Sequence, residues 1–160
     1  MLRITMIAAA SALLLAGCST NVKETPAPGA TPHLVGQSLA VKSVHGQATA
    51  ASLPGDLMPR LTQAIQGEVG NGASGGHPAN LEFNVVDYKE VSGAARALGG
   101  MLAGSNRLHV AVTLRDPSGA VLRQFEVDRK SNPGALGAIT DQEGGLITTT
   151  AKAIAETLAK

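Results

Sequence analysis

The sequence predicts an α+β fold: a small mixed sheet of about four strands with two helices on one face, in the order β-α-β-β-β-α. Three observations predict it. Leu81-Phe83-Val85 and Leu108-Val110-Val112-Leu114 alternate with polar or small residues, the period of a half-buried strand. Leu57, Leu61 and Ile65 recur every four residues, and Ile147, Ala151, Ile154 and Leu158 follow a three-and-four spacing. Each set draws one apolar stripe along a helix. Asp116-Pro117-Ser118-Gly119 separates two strand-like runs and has the composition of a type I turn.

The elements follow in chain order. Leu39, Val41 and Val44 give apolar character to a first strand over about 34–44, with Lys42 outside, and His45 to Gly55 reads as loop. Asp56 stands where an N-cap is expected. Pro59 falls in the first helical turn, where its missing N–H costs nothing. Gly67, Gly70 and Gly72 end that helix, and residues 71–80 form a glycine-rich loop. The next strand runs to about Tyr88, with Val86 and Tyr88 on the face opposite Val85. Residues 108–115 and 121–129 form a hairpin, the second arm carrying Phe125 and Val127. Thr140 and Glu143 fit a capping box before the last helix, and Lys160 suits its C-terminal dipole.

Charge and composition narrow the function. Thirteen basic residues oppose twelve acidic ones. Arg3 lies in a cleavable leader, so the remainder is formally neutral, which argues against a nucleic-acid partner. Two Phe, one Tyr and no Trp leave little surface for stacking sugars or bases. The single cysteine excludes an internal disulfide and thiolate metal clusters.

That cysteine closes the N-terminal run. Arg3 gives a positive start, and residues 4–15 are almost wholly apolar, too short to span a ~30 Å hydrocarbon layer as a permanent helix. A positive start, a short apolar core and small residues at the cut are the signature of a secretory signal. Leu15-Ala16-Gly17-Cys18 resembles the bacterial lipobox. The resemblance implies diacylglycerol on the Cys18 sulfur, cleavage before Cys18, and acylation of the new amino group by a chain such as palmitate. Leu15, Ala16 and Gly17 would then be the signal-peptidase recognition residues. Ser19, in place of Asp, implies the outer membrane of a Gram-negative envelope, with the domain facing the periplasm. The domains expected are a cleaved signal (1–17), a lipidated Cys18 with a Pro-rich tether (18–33), and one α+β domain (34–160).

Few polar constellations suggest chemistry. Gly72-Ala73-Ser74-Gly75-Gly76 matches G-x-S-x-G, and His77 follows. A nucleophile elbow needs a strand before the serine and a helix after it, and here a helix precedes. A small hydrolase or ligand-binding domain using the Gly72–His77 loop stays as the alternative. His33, His45, His77 and His109 lie too far apart for a local metal pair, so no metal site is expected. Arg96, Arg107, Arg115, Arg123, Arg129 and Lys130 concentrate positive charge in the later half. Arg107 and Arg115 share strand parity and line one face, either as a solvated face of paired charges or as a surface for an anionic partner. Residues 93–104 are small and glycine-punctuated, with Gly100 and Gly104 at G-x-x-x-G spacing. They read first as a glycine-rich connection, then as a short helix for self-association or docking, and last as a membrane-dipping element.

Gly100 to Gly104, Asn106-Arg107-Leu108-x-Val110-x-Val112-x-Leu114-x-Asp116, the Gly119 turn and the C-terminal helix resemble a group of bacterial envelope lipoproteins classed as domains of unknown function. They are similar, more distantly, to the small α+β domains of the curli-secretion lipoprotein and the N-terminal part of TolB. These resemblances imply a fold and a compartment and carry over no catalytic residue. The expectation is a non-enzymatic, lipid-anchored binding or accessory protein of the cell envelope. Its only covalent group would be the lipid on Cys18, and its partner an envelope protein or a second copy. An auxiliary role in an export or efflux assembly is the third option. Gly100, Gly104, Arg107 and Arg115 are the candidate partner-binding residues.

Overall fold

The computed structural model describes residues 17–26, 39–70, 76–132 and 141–160. The elements are β1 (Gly17–Glu24), β2 (Leu39–Ala48), α1 (Leu57–Gly70), β3 (His77–Lys89) and α2 (Gly93–Gly99). A 3₁₀ turn (Gly100–Ala103), β4 (Asn106–Arg115), β5 (Val121–Asn132) and α3 (Gln142–Leu158) follow. The sheet has five strands in the order β1-β5-β4-β3-β2. β2 and β3 run parallel across the α1 crossover, and every other neighbouring pair is antiparallel.

One face of the sheet carries the core. Leu81, Phe83 and Val85 of β3, Leu108, Val110, Val112 and Leu114 of β4, and Phe125 and Val127 of β5 are buried under α1 and α3. The α1 stripe Leu57, Leu61, Ile65 and Val69 meets Leu146, Ile147, Ala151, Ile154 and Leu158 of α3. Each of these Leu, Ile and Val side chains contributes about 1.5–3 kcal/mol when fully buried. α3 also buries Thr150 and Thr157, whose hydroxyls donate to the Leu146 and Ala153 carbonyls one turn back.

Several expectations need correction. The sheet has a fifth strand, and it takes in the last residue of the expected signal and the first part of the expected tether. Residues 17–24 pair with β5 from Gly17↔Asn132 to Glu24↔Phe125. Val22 is the one large apolar residue there and sits opposite Val127, so the strand has almost no alternation to read. The rest of the expected tether, from residue 27, lies outside the described residues, as do residues 34–38 of the first expected strand. That strand continues to Ala48 through the stretch read as loop, and β3 starts at His77 rather than Leu81. Tyr88 is not opposite Val85. The β3–β4 register skips Val86 between Val85↔Val110 and Asp87↔His109, and this bulge returns Tyr88 to the core side opposite buried Leu108.

The last helix is capped one residue later than expected. Asp141 Oδ1 accepts from the Gly144 N–H at 2.8 Å, while Glu143 accepts from Arg60 Nη1 of α1 at 2.8 Å. Thr140 lies outside the described residues. Burial pushes the Glu143 carboxyl above its ordinary range, and Arg60 opposes that only in part.

Candidate functional site

Register places the expected lipidation residue. Cys18 pairs with Ser131 of β5, and Ser131 pairs on its other side with Asn106, the first residue of β4. Cys18 and the start of β4 thus stand at the same end of the sheet, two strand spacings apart. Gly17 pairs with Asn132, whereas Leu15 and Ala16 lie outside the described residues. The N-terminus of α3 reaches this end too, since Ser131, Asp141 and Gln142 line one small cleft.

The next open-face row holds Lys89, Arg107, Lys130 and Ser19 across four strands. The open-face row after it holds Asp87, His109, Asp128 and Asn21. Arg107 reaches between the rows. Its Nε and Nη2 donate to the two oxygens of Asp128 at 2.9 and 3.0 Å, and its Nη1 donates to Asp87 at 3.0 Å. This bidentate grip holds the Asp128 carboxyl below the usual carboxylate range and raises Arg107 above its ordinary value. His109 Nε2 lies 3.2 Å from Glu126, and Arg115 donates to Glu82 at 2.9 Å and to the Gly119 carbonyl at 3.0 Å. Arg107 and Arg115 do share one face, but each meets acids supplied by neighbouring strands. Asp87 and Glu82 come from β3, which a count along the later half of the chain leaves out.

Arg96 is no part of a cationic surface. It is fully buried, donating to Asn106 Oδ1 at 2.7 Å and to the Gly104 carbonyl at 3.5 Å, with no partner for its Nε among the described residues. Asn106 Oδ1 also accepts from the Val91 N–H at 2.8 Å. These bonds fasten the segment between β3 and β4 to the root of β4. The segment is a short helix and a 3₁₀ turn, rather than the glycine-rich connection favoured by its composition. Ser92 starts it, with its hydroxyl accepting from the Ala95 N–H and its carbonyl from the Arg96 N–H. Gly100 opens the 3₁₀ turn, and Gly104 at φ 96° turns the chain into β4, a conformation that favours glycine. Leu98 and Leu102, one helical turn apart, are 93% and 96% exposed. Sequence reading missed Arg96 and Asn106 as fasteners; an arginine within an Ala/Gly stretch was the only signal.

Of the alternative loop, residues 72–75, including Ser74, lie outside the described residues. His77 is an exposed first residue of β3, opposite Leu39. His33 also lies outside. His45, His77 and His109 belong to three different strands, and among the described residues no three His, Cys, Asp or Glu side chains gather to hold a metal ion. A groove of about 420 Å³ opens between β1 and α3, with Thr20, Arg129, Thr149, Lys152 and Glu156 among its walls. Among the described residues, no helix is long and apolar enough to cross a membrane.

Residues 37–138 match the family described as Domain of unknown function (DUF4410). The chain belongs to that family. No curated protein matches it in sequence. Among solved structures, the PelC dodecamer from Paraburkholderia phytofirmans is similar at 13% identity and TM-score 0.55, covering 88% of this chain and 98% of PelC. A leucine-to-methionine variant of that dodecamer gives 14% identity and TM-score 0.49, covering 84% and 95%. A candidate lipoprotein from Caulobacter crescentus gives 19% identity and TM-score 0.39, covering 70% and 87%. At these identities the PelC likeness is one of fold. The DUF4410 match agrees with the expected resemblance to domains of unknown function.

Proposed function

We propose that this DUF4410 chain is a lipid-anchored protein of the bacterial envelope, held by acyl chains on Cys18, with its domain facing the periplasm at the outer membrane. It acts without catalysis, by binding another envelope protein or further copies of itself. The observation that carries the reading is Leu15-Ala16-Gly17-Cys18 at the end of a short apolar run, with a folded sheet beginning at once beyond it. A thioether needs a cysteine sulfur, and the chain has one cysteine. One acyl chain gives only marginal membrane binding, so two or three on Cys18 are what a stable anchor requires. Self-association is the binding mode that the dodecameric PelC structure of like fold supports. The reading requires no cofactor beyond the covalent lipid.

Metabolic labelling with palmitate tests it. The unsubstituted chain is expected to take up label and to run at the processed size, and Cys18→Ser to lose both label and processing. A Cys18→Ser chain that is labelled and processed normally overturns the reading. Turnover by the purified protein, abolished by Ser74 or His77 substitution, would overturn the non-catalytic part.

A further inference from the structure

We propose that the α2–3₁₀ corner is a second membrane contact, laying Leu98 and Leu102 on the same anionic lipid surface that receives the acyl chains of Cys18. The inference rests on the lipidated reading of Cys18 and adds a second contact to it.

Three independent features of this end converge on a lipid occupant. The first is position. Cys18 and Asn106 flank Ser131 in register, which puts their backbones within about 10 Å of each other. Leu102 lies four residues before Asn106, so the chain can carry it at most about 14 Å away. β1 pairs with β5 from Cys18 itself onward, so no slack chain separates the anchor from the sheet. A membrane that holds Cys18 therefore lies beside the corner.

The second is exposure without mobility of the support. A single exposed leucine is ordinary. Here two leucines a turn apart are almost fully exposed, on a segment that buried Arg96 fastens through Asn106 and Gly104. The polar anchor points inward and the apolar side chains outward, the reverse of a segment built to face water. The corner is too short to span a bilayer, and lying in the headgroup boundary is the arrangement open to it.

The third is charge order. Lys89, Arg107 and Lys130 form the open-face row nearest the anchor, and Asp87 and Asp128 the row behind. Asp128 and Asp87 take up Arg107, and Lys130 Nζ also lies 3.8 Å from Asp128; Lys89 and Lys130 are exposed, with exposed Glu90 following Lys89 at the same end. On the open face of the sheet, cations in the nearer row and anions in the farther one is the order that suits an anionic headgroup layer.

The test uses the full lipidated protein, reconstituted in phosphatidylethanolamine–phosphatidylglycerol vesicles. Because the Cys18 sulfur is blocked by its thioether, L102C or L98C gives one reactive thiol for an environment-sensitive fluorophore, and S118C gives a control on the β4–β5 turn. Acyl-brominated lipid is expected to quench the probes at 98 and 102 several-fold and to leave the probe at 118 unquenched. With Cys18 acylated and the protein floating with vesicles, absence of quenching at 98 and 102 overturns the proposal and leaves the lipidated reading intact. Blue-shifted emission without quenching overturns it in favour of a second copy or another protein covering the corner. An unacylated Cys18 and a protein that does not float overturn the reading of Cys18, and the proposal with it.

Discussion

The two ends of the sheet are held by different chemistry. The β4–β5 end closes on itself. Asp116 Oδ1 accepts from the N–H groups of Ser118 and Ala120 and from the Ser118 hydroxyl, Gly119 turns at φ 90°, and Arg115 ties down the Gly119 carbonyl. All of these bonds are local, and Pro117, Ser118, Gly119 and Ala120 are exposed to water. The opposite end holds Cys18, the long β3–β4 connection and the start of α3. Its order depends on Arg96, a buried side chain whose partners are an amide and a carbonyl, and its surface carries Leu98 and Leu102. Turn residues alone suffice where an end faces water. An end that keeps leucines outward needs a fastener inside.

The largest effect expected from breaking that contrast is at Asn106. Asn106→Leu leaves the Arg96 guanidinium and the Val91 N–H without their shared acceptor, and urea unfolding should show a loss of about 3 kcal/mol. Asn106→Asp keeps the acceptor and adds a countercharge, so it should hold stability near the original. Equal losses in the two variants would remove Arg96 as the fastener. At the other end, Gly119→Ala forces a Cβ into left-handed backbone and should cost about 1–2 kcal/mol in the same assay. It should leave probe quenching at residue 102 unchanged.

Between the ends, Asp128→Asn breaks the bidentate grip of Arg107 and should cost about 1 kcal/mol at neutral pH. The sign with pH follows from the depressed Asp128 carboxyl. Its contribution is complete above the unfolded-state value near about 4 and is lost as pH falls through the lower folded value. Asp128→Asn should therefore flatten the acid limb of a pH–stability curve. The smallest effect belongs to the leucines. Leu98→Ser and Leu102→Ser should each change stability by no more than about 0.5 kcal/mol, because neither side chain is packed. A loss several times larger would show that these leucines meet protein.

The sequence made the β4–β5 turn end and the core easier to read than the end that holds Cys18. The stripes of α1 and α3 and the alternation in β3, β4 and β5 are local periodicities, and the Asp116–Gly119 turn uses residues chosen by backbone geometry. Strand β1 has only Val22 as a large apolar residue and takes its place by pairing with β5, which no local pattern reports. The bulge at Val86 reverses the parity that put Tyr88 on the wrong face. Composition hid α2, since alanine and glycine read as connection until Ser92 is seen to cap it and Arg96, at its middle, to fasten it to Asn106. The face of paired charges was readable from strand parity, but the acids that pair with Arg115 and Arg107, Glu82 and Asp87, lie on a neighbouring strand some twenty or more residues earlier and show no local pattern. The lipobox reading of Cys18 rests on its immediate neighbours in sequence. Its place beside the leucine corner came only with the strand register.

The central claim, that this end of the sheet is tied to a membrane through Cys18, is most directly tested by the mass of the N-terminal peptide of the mature protein taken from cell membranes. The account predicts a chain beginning at Cys18, carrying a diacylglyceryl group on sulfur and an acyl chain on the amino group. A chain that begins elsewhere, or a Cys18 with a free thiol, would contradict it.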